Sequence, residues 1–348
     1  ILPFKVMPLT RATNPVKVYE YLSAGKQVVS IDLPEMEQFG GLIKVAKNHG
    51  DFISAVNASL SQENDQEAIS KRQAFAKEQT WAHRVDALIS HTETNVNDPI
   101  VSVIVVTYNN IELTRACLAS LDEHTGYDPL EIIVVDNAST DGTREFLEKW
   151  VAAGTNRRMV LNDDNRGFAA ANNQGLAIAA GDYLVLLNND TYVTPGWVRT
   201  LRNHLRRDQT IGLIGPVTNN IGNEAKIDLD YSGMEEMLKA ASEYALRNIG
   251  RTFPLRTAAF FCVMMRHEVY EKVGPLDEAF GIGFFEDDDY CRRIERLGFR
   301  IVCAEDVFVH HQLSSSFNKL KNRERQALFA KNKALYEAKW GKWMPHVY

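Results

Sequence analysis

The chain has 348 residues, with 39 basic and 45 acidic side chains and a net charge of −6. Hydrophobic residues at 45% and charged residues at 24% exclude a disordered or collagen-like chain. No apolar run reaches the ~18 residues that a membrane-crossing helix needs, and the acidic balance excludes coating nucleic acid as the main role.

Four scattered cysteines (Cys117, Cys262, Cys291, Cys303) without CxxC spacing make neither a disulfide scaffold nor a zinc module. A reducing, cytoplasmic compartment is expected. Ile1 follows no leader pattern, so the chain reads as a piece of a longer one. Near the start, Val16 to Leu22 has a helical pattern that ends at Gly25, and Gln27 to Ile31 reads as a short buried strand. A helical stretch, Asp65 to Ile89, follows. The polar run closing on Asp98-Pro99 reads as a linker, which sets expected domains of 1–94 and 95–348. The first, with so few strands, reads as part of a domain.

After the linker, strands and helices alternate. Val101 to Val106, Glu131 to Val135, Met159 to Leu161 and Tyr183 to Leu187 read as strands. Ile111 to Leu121, Asp141 to Val151 and the Ala-rich Phe168 to Ala179 read as helices between them. This rhythm predicts an α/β fold with a mostly parallel sheet covered on both faces. Ligands of such sheets lie beyond the carboxyl ends of the strands, so residues just after each strand are the first candidates.

Thr107-Tyr108-Asn109-Asn110 ends the first strand, and Tyr108 has a ring able to stack on a base; the same residues equally suit a helix-capping loop. Asp136 follows the second strand, where a carboxylate accepts hydrogen bonds from a ribose or a base. Ser139, Thr140 or Asp141 serves as a helix cap there. Asn165 to Asn173 opens a helix with Gly167 and the small Ala169-Ala170-Ala171, whose free N–H groups favour a diphosphate, although small residues also serve helix packing. Asp190 ends Asn188-Asn189-Asp190, where a carboxylate suits a hard divalent cation, although Asn and Asp also form turns.

Further on, Glu286-Asp287-Asp288-Asp289 opens a helix. Acids there favour the helix dipole, but four exceed what a cap needs, and one of them can act as general base. Ile301 to Val309 reads as a strand running into His310-His311, whose side chains point opposite ways on a pleated strand, so at most one serves as a ligand. The helix over Arg323 to Lys339 offers Leu328, Leu335, Phe329 and Trp340 as an apolar face. From Lys319 to Lys342 it carries eight basic against two acidic residues, a net of +6. A solvated helix packed on the domain accounts for this; attraction to an anionic membrane surface is the rival. The stretch from Gly215 to Ala259 shows no pattern.

Taken together, Val101 to Asn109, Val134 to Ser139, Asn165 to Asn172, Asn188-Asn189-Asp190, Phe285-Glu286-Asp287 and His310 resemble the family 2 inverting glycosyltransferases of GT-A fold, in the flavour of their bacterial rhamnosyltransferase-like branch. The match runs in the family's order from Pro99 to Trp340. It implies transfer of a sugar from a nucleoside-diphosphate donor (UDP or dTDP) to a hydroxyl of a glycan or lipid-linked glycan, in surface polysaccharide synthesis. It implies that Thr107, Tyr108, Asn109, Asp136, Asn137 and Ser139 hold the nucleoside, and that Asn165, Gly167 and Asn172 line the nucleotide-sugar site. Asn188-Asn189-Asp190 occupies the family's DxD motif, with Asn188 in place of its first Asp and Asp190 as ligand to Mn or Mg. His310 matches the late metal-binding His, with His311 its rival. Asp287 becomes the catalytic base and Glu286 an acceptor-binding neighbour.

The segment Asn14 to Val29 resembles the carboxyl-terminal, Rossmann-like half of a GT-B glycosyltransferase, with Glu20 at the donor-contacting position. Its upstream partner glutamate is Ala12 here, so this part is expected to be inactive by itself. Two other classes share parts of the pattern. A nucleotidyltransferase needs a Gly-rich phosphate loop with a basic residue where Thr107 to Asn110 stand, and a glycan-binding or scaffold module needs no base.

Overall fold

The structure, a computed structural model, describes residues 1–11, 13–61, 65–80, 82–83, 85, 98–312 and 322–345. The chain divides into two compact units, Ile1–Asn97 and Asp98–Tyr348.

The first unit holds α1 (Pro8–Arg11), α2 (Val16–Ser23), β1 (Val29–Ile31), β2 (Lys44–Ala46), α3 (His49–Leu60) and α4 (Gln66–Lys77). β1 and β2 pair in parallel, and Val18, Leu22, Leu33, Met36 and Phe39 form their core. The second strand and α3 carry too weak an apolar pattern to be read from sequence. Most of the linker and Ala12 lie outside the described residues.

The second unit begins with β3 (Val101–Thr107), α5 (Ile111–His124), β4 (Leu130–Asp136), α6 (Thr143–Ala152), β5 (Arg157–Leu161), α7 (Gly167–Ile178) and β6 (Tyr183–Asn188). It continues through β7 (Thr191–Val193), α8 (Trp197–Arg207), β8 (Ile211–Val217), α9 (Met234–Arg247), β9 (Thr252–Pro254), β10 (Cys262–Arg266) and α10 (His267–Val273). It closes with α11 (Glu286–Arg296), β11 (Arg300–His311) and α12 (Asn322–Trp340).

The strands form one sheet in the order β5-β4-β3-β6-β10-β8-β11-β7, with β9 on β11. β5, β4, β3 and β6 run parallel, as the alternation predicts. The other half is mixed: β10 runs antiparallel to β6 and β8, and β7 and β9 antiparallel to β11. Between β8 and β11 the pairing is parallel again.

Pleating sends successive side chains to opposite faces. Val101, Val103 and Val105 join a core under α5, α6 and α8, while Ile104, Leu184 and Leu186 join one under α7, α9 and α11. Each fully buried Val or Leu contributes roughly 1.5–3 kcal/mol. All four cysteines are free and buried. No helix among the described residues is long and apolar enough to cross a membrane.

Candidate functional site

Strand register aligns the polar residues along one edge. Thr107 pairs with Asp136, and Val106 with Asn188, so the ends of β3, β4 and β6 lie level. β10 leaves from the same edge, with the Asn188 N–H bonded to the Phe261 carbonyl at 2.8 Å. β7 turns back directly after Asp190 and pairs Thr191 with His311.

Asp136 is fully buried. Its Oδ2 accepts from the Ser139 N–H at 3.0 Å and from Arg144 Nε at 3.1 Å. Its Oδ1 is buried without a partner, an arrangement that costs free energy unless a ligand donates to it. Ser139 also accepts the Asn109 N–H at 2.7 Å, and Asn109 Oδ1 accepts the Thr140 N–H at 2.8 Å. These two residues therefore brace the loop from within. Asp141 accepts from Thr143 Oγ1 and the Ile111 N–H, a structural cap. Tyr108 stands exposed beside them.

Asn137 donates to the Gly167 carbonyl at 3.1 Å and accepts from Asn162 at 2.9 Å. Asn165 Oδ1 accepts the Gly167 N–H at 2.9 Å, and Asn172 donates back to the Phe168 carbonyl at 2.9 Å. Gly167 has φ +83, and a Cβ on it would stand 2.3 Å from the Gly281 carbonyl oxygen. Only glycine fits there, and it brings the opening of α7 against the segment that leads to Glu286.

Asn189 donates to Thr107 Oγ1 at 3.2 Å and to Thr114 Oγ1 at 3.0 Å, so it is part of the floor. Asp190 Oδ1 lies 3.2 Å from His311 Nε2, yet neither atom has a hydrogen-bond partner, so the pair is close but misaligned for a bond. His311 Nδ1 meets the Asn220 carbonyl at 2.9 Å. A carbonyl only accepts, so Nδ1 carries the proton, and in the neutral ring Nε2 bears the lone pair. Burial opposes charge on this ring, and the Asp190 carboxylate outweighs it, holding the pKa above the ordinary value.

The expected ligand His310 meets the Tyr231 hydroxyl with its Nδ1 at 2.7 Å, while its neighbour His311 lies against Asp190. Alternation along β11 decides this, because neighbouring residues face opposite sides. Burial, with His311 adding to it, pushes the His310 pKa down.

Two adjacent buried donor atoms, one carboxylate and one imidazole with its far nitrogen fixed to a carbonyl, fit a divalent cation. No cluster of three protein ligands exists among the described residues, so a cation there requires oxygens from a bound ligand.

The acidic run divides in two. Asp289 accepts from Trp340 Nε1 at 2.8 Å and Arg293 Nε at 3.0 Å, and pairs with Lys339. Asp288 accepts from Thr257 Oγ1 at 2.9 Å. Glu286 and Asp287 remain. Glu286 Oε2 is buried without a partner. Burial, reinforced by Asp288, raises its pKa to about 7. Burial with the Glu286 and Asp288 carboxylates beside it holds Asp287 well above the carboxylate range. Phe284 and Phe285, just before them, have φ of 71° and 73°, which costs bulky residues roughly 1–2 kcal/mol each.

Sequence reasoning missed Asn219, Asn223 and Thr257. Asn219 holds the His311 backbone from both sides, accepting its N–H at 2.8 Å and donating to its carbonyl at 3.2 Å. Asn223 donates to the Thr257 carbonyl at 3.0 Å. The available signal was Thr218-Asn219-Asn220, which follows β8 as Thr107 to Asn110 follow β3.

Contacts thus link Asn137 and Gly167 to Gly281, Asp288 through Thr257 to Asn223, Asn219 through His311 to Asp190, and Asn189 to Thr107.

Residues 102–274 match the family model described as Glycosyl transferase family 2. Glycosyltransferase AglE of Haloferax volcanii is 27% identical over 214 residues, covering 61% of this chain and 67% of that one. O-antigen biosynthesis protein RfbC of Myxococcus xanthus is 29% identical over 229 residues, covering 62% of this chain and 18% of that one. The chain spans only 28% of another relative, y4gI of Sinorhizobium fredii, at 26% identity over 70% of this chain. Its fold resembles a crystal structure of GalNAc-T7 with UDP, GalNAc and Mn2+, with a TM-score of 0.51 and 16% identity over 62% of this chain and 44% of that one. The second unit is thus a GT-A-like α/β domain, and its residues 102–274 are similar to glycosyl transferase family 2.

Proposed function

We propose that the second unit transfers a sugar from a nucleoside-diphosphate donor to a hydroxyl of a glycan or lipid-linked glycan, with inversion, in bacterial surface polysaccharide synthesis. The observation that supports this reading is the level ends of β3, β4 and β6, with Asp190 just after them, together with buried, unpartnered atoms on Asp136, Asp190, His311 and Glu286. The similarity to an O-antigen biosynthesis protein supports the polysaccharide context.

In this reading Asp136 Oδ1 accepts an N–H from the base, while Arg144 and Ser139 hold its other oxygen. A pyrimidine, in UDP or dTDP, presents one such N–H. Tyr108 stacks on the base, and Asn165, Gly167 and Asn172 shape the wall for the donor. Asp190 and His311 hold the divalent cation, Mn or Mg, which when bound neutralises charge on the diphosphate. Asp287 takes the proton from the acceptor hydroxyl as its oxygen attacks the anomeric carbon from the face opposite the diphosphate. Glu286, with a pKa near 7, exchanges hydrogen bonds with the acceptor. A carboxyl with raised pKa is the stronger base once ionised, which suits this task.

The first unit supplies no step. We keep for it the GT-B-like reading; there Glu20 is paired with Lys17 at 2.8 Å. The exposed Arg323, Arg325 and Lys331 on α12 suit peripheral contact with an anionic membrane surface.

The test is a panel of nucleotide sugars with Mn2+, read by thermal stabilisation and by product formation. A pyrimidine-diphospho-sugar is expected to stabilise the protein and to be consumed only with metal present. No stabilisation and no turnover across the panel sinks the reading.

A further inference from the structure

We infer that one face of α12, carrying Asn332, Tyr336, Lys339 and Trp340, positions the Glu286-Asp287 pair, with Asn332 as the central positioning residue. Its catalytic consequence rests on Asp287 being the base. Of the apolar face expected from the sequence, Phe329, Leu335 and Trp340 pack against Phe280, Phe285 and Tyr336, while Asn332 and Tyr336 are the buried residues of this helix.

Asn332 is completely buried. Its Nδ2 donates to the carbonyls of Phe280 at 2.7 Å, Gly283 at 2.7 Å and Phe284 at 3.3 Å. These are the carbonyls of the segment that bends, through left-handed backbone at Phe284 and Phe285, into α11. Two bulky residues in succession do not hold such a conformation unaided. One turn further on, the Tyr336 ring packs at 5.6 Å from that of Phe285. Beyond that, Lys339 reaches Asp277 at 2.7 Å and also pairs with Asp289, and Trp340 donates to Asp289 at 2.8 Å.

The spacing from 332 to 336 to 339 and 340 keeps these groups on one helix face. That face grips the loop at both ends, Asp277 and Asp289, and at its centre. A buried amide has no apolar reason to sit there, and all its donors go to this one loop. The Glu286-Asp287 pair therefore takes its place from a helix that begins more than thirty residues later in the chain.

The experiment compares the whole chain with Asn332→Asp, Lys339→Met and, as a control on the exposed face, Lys331→Ala. Amide hydrogen exchange reads the loop without depending on activity. In Asn332→Asp the amides from Gly281 to Asp289 are expected to exchange about tenfold or more faster, with Val101 to Thr107 unchanged. Lys339→Met produces a smaller change confined to the α11 end, and Lys331→Ala none. In transfer assays Asn332→Asp lowers kcat about 100-fold, the order expected for a misplaced catalytic group, with the donor KM within about twofold. The acidic limb of the pH–rate profile also moves.

Unchanged exchange in the loop overturns the clamp. Lost protection with unchanged kcat and pH profile overturns the positioning role. A parallel fall in donor binding and protection throughout the unit assigns Asn332 to general stability and also overturns it. If the wild type transfers no sugar, the functional reading fails by itself, and the exchange data still decide whether Asn332 holds the loop.

Discussion

His311 faces Asp190 across the β7–β11 pairing, Nε2 to Oδ1 at 3.2 Å, while its other ring nitrogen is committed to the Asn220 carbonyl. If these two atoms hold a cation, His311→Ala abolishes stabilisation by Mn2+ plus UDP, and His310→Ala retains it. Saturation at a hundred times Kd corresponds to about 2.7 kcal/mol, which a thermal shift resolves and a chelator removes. Equal losses in both variants would contradict the assignment.

Asp287→Asn is expected to lower kcat by roughly 10²–10⁴-fold, the range for a lost general base. Donor-induced stabilisation stays, because Asp136 and Asp190 are untouched. Normal turnover in this variant would point to a non-catalytic module or another base.

Asp136→Ala removes the carboxylate that Arg144 and Ser139 aim. It also leaves Arg144 without its ion pair. Donor affinity falls by about 10–100-fold, near the 1.5–3 kcal/mol of a charge-assisted hydrogen bond. Calorimetric titration with the nucleoside diphosphate checks this.

Glu286 gives a pH signature. Its folded pKa, about 7, lies above the carboxylate range because of burial and then Asp288. Raised in the fold, it contributes stability that is fully present below the unfolded pKa and is lost as pH rises through about 7. Glu286→Gln is therefore expected to match the wild type near the bottom of that window. At pH above 8 it should exceed it by about 1–3 kcal/mol. Melting curves across the range measure the gap, and a gap that shrinks with rising pH contradicts the assignment.

Gly167→Ala forces a Cβ to within 2.3 Å of the Gly281 carbonyl at a φ of +83. A loss of about 3 kcal/mol is expected from strain and overpacking combined. Because Gly281 leads to Glu286, donor affinity and kcat should drop together, as kinetics at reduced temperature would reveal.

Much of this protein is written locally. Four strands and three helices between Val101 and Asn188 follow from β-branched runs and helical spacing, with ends within a few residues of those observed. The polar residues Thr107, Asp136 and Asn188 stand out because each interrupts an apolar run, which a strand end alone can accommodate. What the local pattern leaves open is which long-range partners those residues meet. His310 and His311 are indistinguishable until the pairing of β11 with β7 sets which faces Asp190. The four acids look alike until Trp340, Arg293, Lys339 and Thr257 claim two of them. Asn332 carries no sequence signal at all, since its partners are backbone carbonyls about fifty residues upstream. Periodicity encodes neighbours along the chain; the register of distant strands and the docking of the last helix depend on packing the whole core, so only the assembled fold decided them.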